Sequence, residues 1–196
     1  MDLFLASESP RRRELLSGII KDFKVEAAAV EEAAAFAAIG AESLVEYNAR
    51  LKANAVAERH PADWVLGADT VVVLDERIFG KPRDMVEAYE FLQILSGKVH
   101  KVLTAVCLVN RSLAEQREFV AQSLVRFRQL DEESIKRYLQ LVPVLDKAGA
   151  YGIQEHGEML VESIDGELEN IIGLPVGELT GLFYKVGILT AAEQGE

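Results

Sequence analysis

Two serines, a proline and three consecutive arginines stand close together near the start of the chain, in Ser7-Glu8-Ser9-Pro10-Arg11-Arg12-Arg13. They follow a short apolar run, Met1 to Ala6. Pro10 suits the first position of a helix, and Ser9 suits the N-cap before it. The first turn of that helix then offers free backbone N–H groups, two hydroxyls and guanidinium forks at one place. Phosphate sites are built from such parts. A solvated basic patch at an ordinary helix start has the same spelling. Asp69 is the next notable group, because it follows Gly67-Ala68 inside the apolar run 64–74. A carboxylate there is expensive to desolvate unless it is hydrogen-bonded, charge-paired or metal-bound. The alternative is an escape to solvent at a strand end. Glu31 and Glu32 are adjacent acids among small residues, and as a bare pair they read as surface charge. Lys81 sits between Gly80 and Pro82, so a stiffened loop can hold its ammonium toward a phosphate. Lys52 falls within a predicted helix, where a solvent-facing lysine is the ordinary expectation.

Those groups need elements to position them. Residues 2–6 read as a strand and 10–18 as a helix closed near Gly18. Asp22 to Ala28 alternates weakly as a second strand, and Glu26 to Ala41 reads as a mobile connection or an irregular alanine-rich helix. Leu44, Asn48, Leu51 and Ala55 recur at helical spacing and predict a helix over 42–59. A strongly apolar strand over 64–74, a short return at 77–80 and a helix over 84–95 follow. Two long extended runs, 99–110 and 117–130, predict an antiparallel hairpin with Val125 and Phe127 facing away from Arg126 and Arg128. Asp131 is a good N-cap, and Leu130 against Ile135 predicts a hydrophobic staple on a helix to about Leu141. A strand over 158–164, a turn at Asp165-Gly166, a helix over 174–188 and a frayed tail over 191–196 complete the chain. Helices alternating with strands around one long hairpin predict a mixed α/β sheet.

Composition narrows the function. The 196 residues suffice for one core of ordinary size, and residues 1–190 read as a single domain. No apolar run approaches the roughly 20 residues of a membrane span, and no signal-peptide pattern opens the chain. The single cysteine, Cys107, lies in an apolar run and reads as a buried, inert thiol, in keeping with a reducing cytoplasm. A net charge of −11 argues against a nucleic-acid polymer as partner. It also requires any polyanionic substrate to meet a local concentration of Arg11, Arg12, Arg13, Lys52 and Lys81. The three histidines, His60, His100 and His156, have no metal-ligand spacing. No P-loop and no G-x-G-x-x-G fingerprint is present, which speaks against a P-loop ATPase or a Rossmann enzyme.

The opening run Leu5-Ala6-Ser7-Glu8-Ser9-Pro10-Arg11-Arg12 resembles the signature of the Maf family of nucleoside triphosphate pyrophosphatases. Glu46 to Ala53, Val65 to Val72, Gly80 to Asp84 and Asp146 to Gln154 fit the same resemblance in the family's order. Ser96-Gly97, His100 and Gly173-Leu174-Pro175 add weaker support. The resemblance implies an elongated mixed sheet with flanking helices and two lobes around a cleft, similar to inosine triphosphate pyrophosphatases. It implies cleavage of a nucleoside triphosphate to the monophosphate and pyrophosphate, with Asp69 as the base that takes a proton from water. Glu32 aligns with the second acid, which with Asp69 would hold a divalent cation, Mg²⁺ or Mn²⁺. Ser7, Arg11, Arg12, Lys52 and Lys81 align with substrate-binding residues. Ala27-Ala28-Ala29 before Glu32 departs from the family's more polar spelling. Arg11, Thr70 and Gln154 stand where branches of the family differ, and they resemble the branch acting on dTTP and UTP. A glutamine amide offers the donor and acceptor that a thymine or uracil edge requires; a cap on the turn after Gly152 is the plainer role for Gln154. The resemblance is compatible with a homodimer. Its rivals are a nucleotide-binding division regulator with little turnover and a phosphatase that releases orthophosphate.

Overall fold

The computed structural model describes residues 1–33 and 40–190. The irregular connection expected over 26–41 falls partly outside those residues, and the frayed tail expected over 191–196 falls wholly outside them. Residues 26–33 are neither helix nor strand.

Seven strands form one mixed sheet: β1 (Leu3–Leu5), β2 (Lys24–Val25), β3 (Trp64–Leu74), β4 (Arg77–Phe79), β5 (Val99–Asn110), β6 (Glu115–Phe127) and β7 (Val161–Asp165). The order is β2-β1-β3-β5-β6-β7, with β4 also paired to β3. The β1 strand runs parallel to both β2 and β3, and every other pairing is antiparallel. The helices are α1 (Pro10–Ile19), α2 (Ala41–Ala57), α3 (Met85–Leu95), α4 (Glu132–Leu141), α5 (Leu168–Ile172) and α6 (Val176–Lys185). Three of them start as their sequences dictate. Ser9, Asp84 and Asp131 accept hydrogen bonds from the backbone N–H groups of Arg12, Glu87 and Ser134, and such caps are worth about 1 kcal/mol each.

Several bounds move. The strand expected over 22–28 shrinks to two residues. Gly157–Met159 winds into a 3-10 turn, so β7 starts only at Val161. The β6 strand ends at Phe127, where its pairing with β7 slips register and the Arg128 N–H turns to the Leu160 carbonyl. The five-residue α5 is too short for a periodic signal and had no expectation.

Alternation along β3 explains where the cleft lies, since successive side chains face opposite sides of a sheet. Val65, Val71 and Val73 pack on one face with Leu44, Val45, Ala49, Ala53 and Val56 of α2. Leu66 and Ala68 pack on the other face with Leu16 of α1 and with Leu179 and Phe183 of α6. Further along that second face, Val72 and Leu74 join a separate core with Phe91, Leu92, Leu95, Ile135 and Tyr138 of α3 and α4. Thr70 falls in the gap between the two cores. The edge of β3 is also open there. The β1 strand pairs with it only through Leu66, and β4 begins pairing at Val72.

His100 lies in the far core, edge-on to Phe127 and Tyr151, with its Nε2 2.9 Å from the Tyr151 hydroxyl. Burial pushes its imidazole down to about 4. In the unfolded chain the same ring titrates near 6.5, so the unfolded state binds the extra proton first as pH falls. His100 therefore contributes stability that is complete above about pH 6.5 and is lost toward pH 4. The stability difference between the wild type and the non-titrating His100→Gln should shrink by on the order of 3 kcal/mol across that window. Paired urea denaturation at pH 7.5 and pH 4.5 measures it, and a pH-independent difference refutes it.

Candidate active site

The gap holds a cleft of about 430 Å³, within the ordinary size of small-ligand pockets. Ser7, Arg11, Arg12, Glu32, Lys52, Asp69, Thr70, Lys81 and Gln154 all line it. Arg13 does not; it is exposed outside the cleft, because three successive helical residues cannot all face one way. Around the cleft, Arg11, Arg12, Lys52, Lys81 and Lys147 stand against Glu8, Glu32, Asp69, Asp146 and Glu155. Among the described residues, five cations and five carboxylates leave the lining neutral inside an acidic protein.

Asp69 does not escape to solvent. It is 6% exposed, its Oδ1 accepts from Lys52 Nζ at 2.8 Å and its Oδ2 accepts from Asn48 Nδ2 at 3.1 Å. Both donors come from α2, one turn apart on one face. Lys52 is likewise buried rather than solvent-facing. Its ammonium also lies 3.1 Å from Glu32 Oε2 and 3.4 Å from the Ala68 carbonyl. Its three N–H donors are thus spent on the protein. Asn48 extends the same clamp, since its Oδ1 accepts from the Ala33 N–H at 2.9 Å and its Nδ2 reaches the Ala33 carbonyl at 3.2 Å. Asn48 and Lys52 therefore fasten the Glu32 segment to Asp69. In the sequence Asn48 belonged to a helical stripe and to the 46–53 run of the Maf resemblance, with no role of its own; its spacing of four from Lys52 was the signal that it shares the lysine's task.

Gly67 makes this clamp reachable. A Cβ at that position would lie 2.3 Å from the Ala49 carbonyl oxygen and 2.7 Å from the Ala53 nitrogen. The glycine lets α2 lie directly on β3, which brings Asn48 and Lys52 against Asp69.

The opposite wall begins at the start of α1. Ser7 Oγ accepts from the Ser9 N–H at 3.2 Å, which leaves its own proton to donate into the cleft. Arg12 reaches across to the Gly173 carbonyl at 2.8 Å and to Thr70 Oγ1 at 3.0 Å. Burial lowers the Arg12 pKa and the charges of Asp69 and Glu32 oppose that shift; the guanidinium stays charged in either case. Thr70 Oγ1 lies 2.9 Å from Thr104 Oγ1, and Thr104 donates to the Asn170 carbonyl at 3.0 Å. Thr104 has spent its proton there, so Thr70 must donate to Thr104 and accept from Arg12. Only a lone pair of Thr70 is left for a ligand.

Arg11 spans the cleft to Asp146, with 2.8 Å to Oδ2 and 3.3 Å to the carbonyl oxygen. Burial raises the Asp146 carboxyl, but Arg11 and Lys147 outweigh it and hold it below the usual range. Gln154 is exposed on a turn at the rim and has no hydrogen-bond partner among the described residues. Its amide is therefore not spent capping that turn. Lys81 is also exposed and unpaired among the described residues, the one cleft cation with every donor free.

The family description Maf-like protein matches residues 2–186. This chain belongs to the Maf family. It is 43% identical over 187 residues to a dTTP/UTP pyrophosphatase of Akkermansia muciniphila, covering 93% of this chain and 97% of that protein. It is 46% identical over 176 residues to a dTTP/UTP pyrophosphatase of Thermococcus gammatolerans, covering 89% and 91% of the two chains. Among solved structures, the Ham1 protein of Staphylococcus aureus superposes with a TM-score of 0.57 at 15% identity, over 95% of this chain and all of that one. This likeness is one of fold.

Proposed function

We propose that this Maf-family protein hydrolyses dTTP and UTP to the nucleoside monophosphate and pyrophosphate. The observation that supports it most is Asp69, buried at the open edge of β3 and held by two donors beside a neutral cleft with an unpaired lysine. The dTTP/UTP pyrophosphatase relatives at 43–46% identity point the same way.

In this reading the triphosphate lies between the start of α1 and Lys81. Ser7 donates its hydroxyl proton to a phosphate oxygen, and Lys81 and Arg12 neutralise the chain of phosphates. Asp69 takes a proton from the water that attacks phosphorus. Lys52 holds Asp69 in place through its 2.8 Å contact with Oδ1. The released pyrophosphate leaves past Lys81. The base meets Arg11, Gln154 and the one free lone pair of Thr70, which accepts the N3–H of thymine or uracil.

Glu32 and Asp69 suit a divalent cation. Both point an oxygen at one cationic position, the Lys52 ammonium, and their donor set is all oxygen. Among the described residues no three acidic, histidine or cysteine side chains gather to hold a metal without help. Mg²⁺ commonly takes one or two carboxylates and completes its shell with substrate phosphates. When bound by Glu32 and Asp69, Mg²⁺ or Mn²⁺ would supply charge neutralisation at the reacting phosphates.

No helix among the described residues is long and apolar enough to cross a membrane. We assign the enzyme to the cytoplasm, where triphosphate pools lie. The deciding experiment is a panel of dTTP, UTP, GTP and 7-methyl-GTP with Mg²⁺, reading pyrophosphate and orthophosphate separately. Pyrophosphate from dTTP and UTP is expected to lead by at least about tenfold and to stop in excess chelator. Orthophosphate as the first product would make the protein a phosphatase. Saturable binding with little turnover would favour the regulator.

A further inference from the structure

Lys147 is 4% exposed, more deeply buried than Lys52 or Asp69, and the chemistry above does not use it. Its ammonium donates to the Pro143 carbonyl at 2.5 Å and to Asp146 Oδ1 at 2.9 Å, and pairs with Glu155 Oε1 at 3.1 Å. All three protons are spent, so no donor remains for a substrate. A buried lysine is costly to desolvate, and these partners together offset that cost.

Its partners lie on the two parts of the cleft that meet the base. Asp146 uses its other oxygen to hold Arg11 across the cleft. Glu155 follows Gln154 directly on the rim turn. The stem of Lys147 holds the other end of that turn, since a Cβ on Gly152 would lie 2.7 Å from Lys147 Cε. Tyr138 of α4 secures Gly152 from behind, accepting from its N–H at 3.0 Å. Gln154 thus projects from a turn whose two ends both rest on one lysine.

We propose that Lys147 is a positioning residue for base selection: it sets Arg11 through Asp146 and Gln154 through Glu155, without touching substrate. This inference rests on the reading of Arg11 and Gln154 as the base-selecting residues. Lysine suits the task because its flexible stem packs under Gly152 while its compact charge joins two carboxylates that would otherwise repel.

The test is Lys147→Met, which keeps the stem and removes the charge. For the wild-type and variant enzymes, kcat and KM are measured on the best and the worst triphosphate of the wild type. The ratio of their kcat/KM values should fall at least about tenfold, through a rise in KM for the best substrate. The kcat values should stay within about threefold, because the Asp69 clamp is untouched. A loss of general integrity would instead lower both substrates in proportion and leave the ratio intact. Glu155→Ala removes a half-exposed partner, strands no fully buried charge, and should shift the ratio the same way; it carries the test should Lys147→Met not fold. An unchanged ratio in either folded variant overturns the proposal. Which base the wild type prefers is read from the wild type alone, so failure of the pyrimidine assignment is seen separately.

Discussion

Asp69→Asn should lower the turnover of dTTP by at least about 10²-fold, the usual scale for loss of a general base. The amide is nearly isosteric, but the local hydrogen-bond arithmetic no longer closes. Asp69 now accepts from Lys52 on one oxygen and from Asn48 on the other. Asparagine has one oxygen, which Lys52 would take, and its NH₂ group then faces the NH₂ group of Asn48. Asn48 cannot turn over without losing the Ala33 N–H that its own oxygen accepts. The variant should therefore fold with a stability loss of about 1–3 kcal/mol, the cost of one buried mismatched donor. Its KM should change little, since Arg11, Arg12, Ser7 and Lys81 lie on other elements. Steady-state pyrophosphate release together with urea denaturation separates the two effects. Near-normal turnover would remove Asp69 from the role of base and leave Glu32 as the acid to test.

A single methyl at Gly67 should act on both fold and catalysis. The Cβ of Gly67→Ala has nowhere to go, because the atoms it meets are the Ala49 carbonyl and the Ala53 backbone rather than a side chain that can swing aside. The α2 helix must lift from β3. Overpacking of this kind costs about 1–3 kcal/mol, and here it also draws Lys52 and Asn48 away from Asp69. The expected result is a lower urea midpoint with a fall in kcat of at least about tenfold, the scale set by misplacing a catalytic group by a fraction of an ångström. Gly181→Ala is a fitting control, since a Cβ there meets nothing within 4 Å. It should be neutral or slightly stabilising. Full activity in Gly67→Ala would show that the close approach of α2 does not position the acid.

Much of this molecule follows from local residue order. The caps at Ser9, Asp84 and Asp131, the apolar β3 and the long β5–β6 hairpin depend on neighbours within a few positions, and such signals survive in a bare sequence. The Maf resemblance was likewise legible, because its segments are contiguous runs. Contacts between distant residues were not. Lys52 read as a solvent-facing lysine by its spacing and as a substrate contact by resemblance, because neither says what packs on that face of the helix; Gly67 turned the face onto Asp69. Arg13 looked equivalent to Arg11 and Arg12 until the turn of α1 pointed it outward. Thr70 stood out only as a position where branches of the family differ, and nothing local showed that Thr104, paired through β5, claims its proton. Arg11 and Asp146 are 135 positions apart, yet they close one cleft. Residue types and their order determined which elements form and which groups could do chemistry. Tertiary structure alone decided which donors are spent and which stay free, because that depends on partners brought together only by the folded sheet.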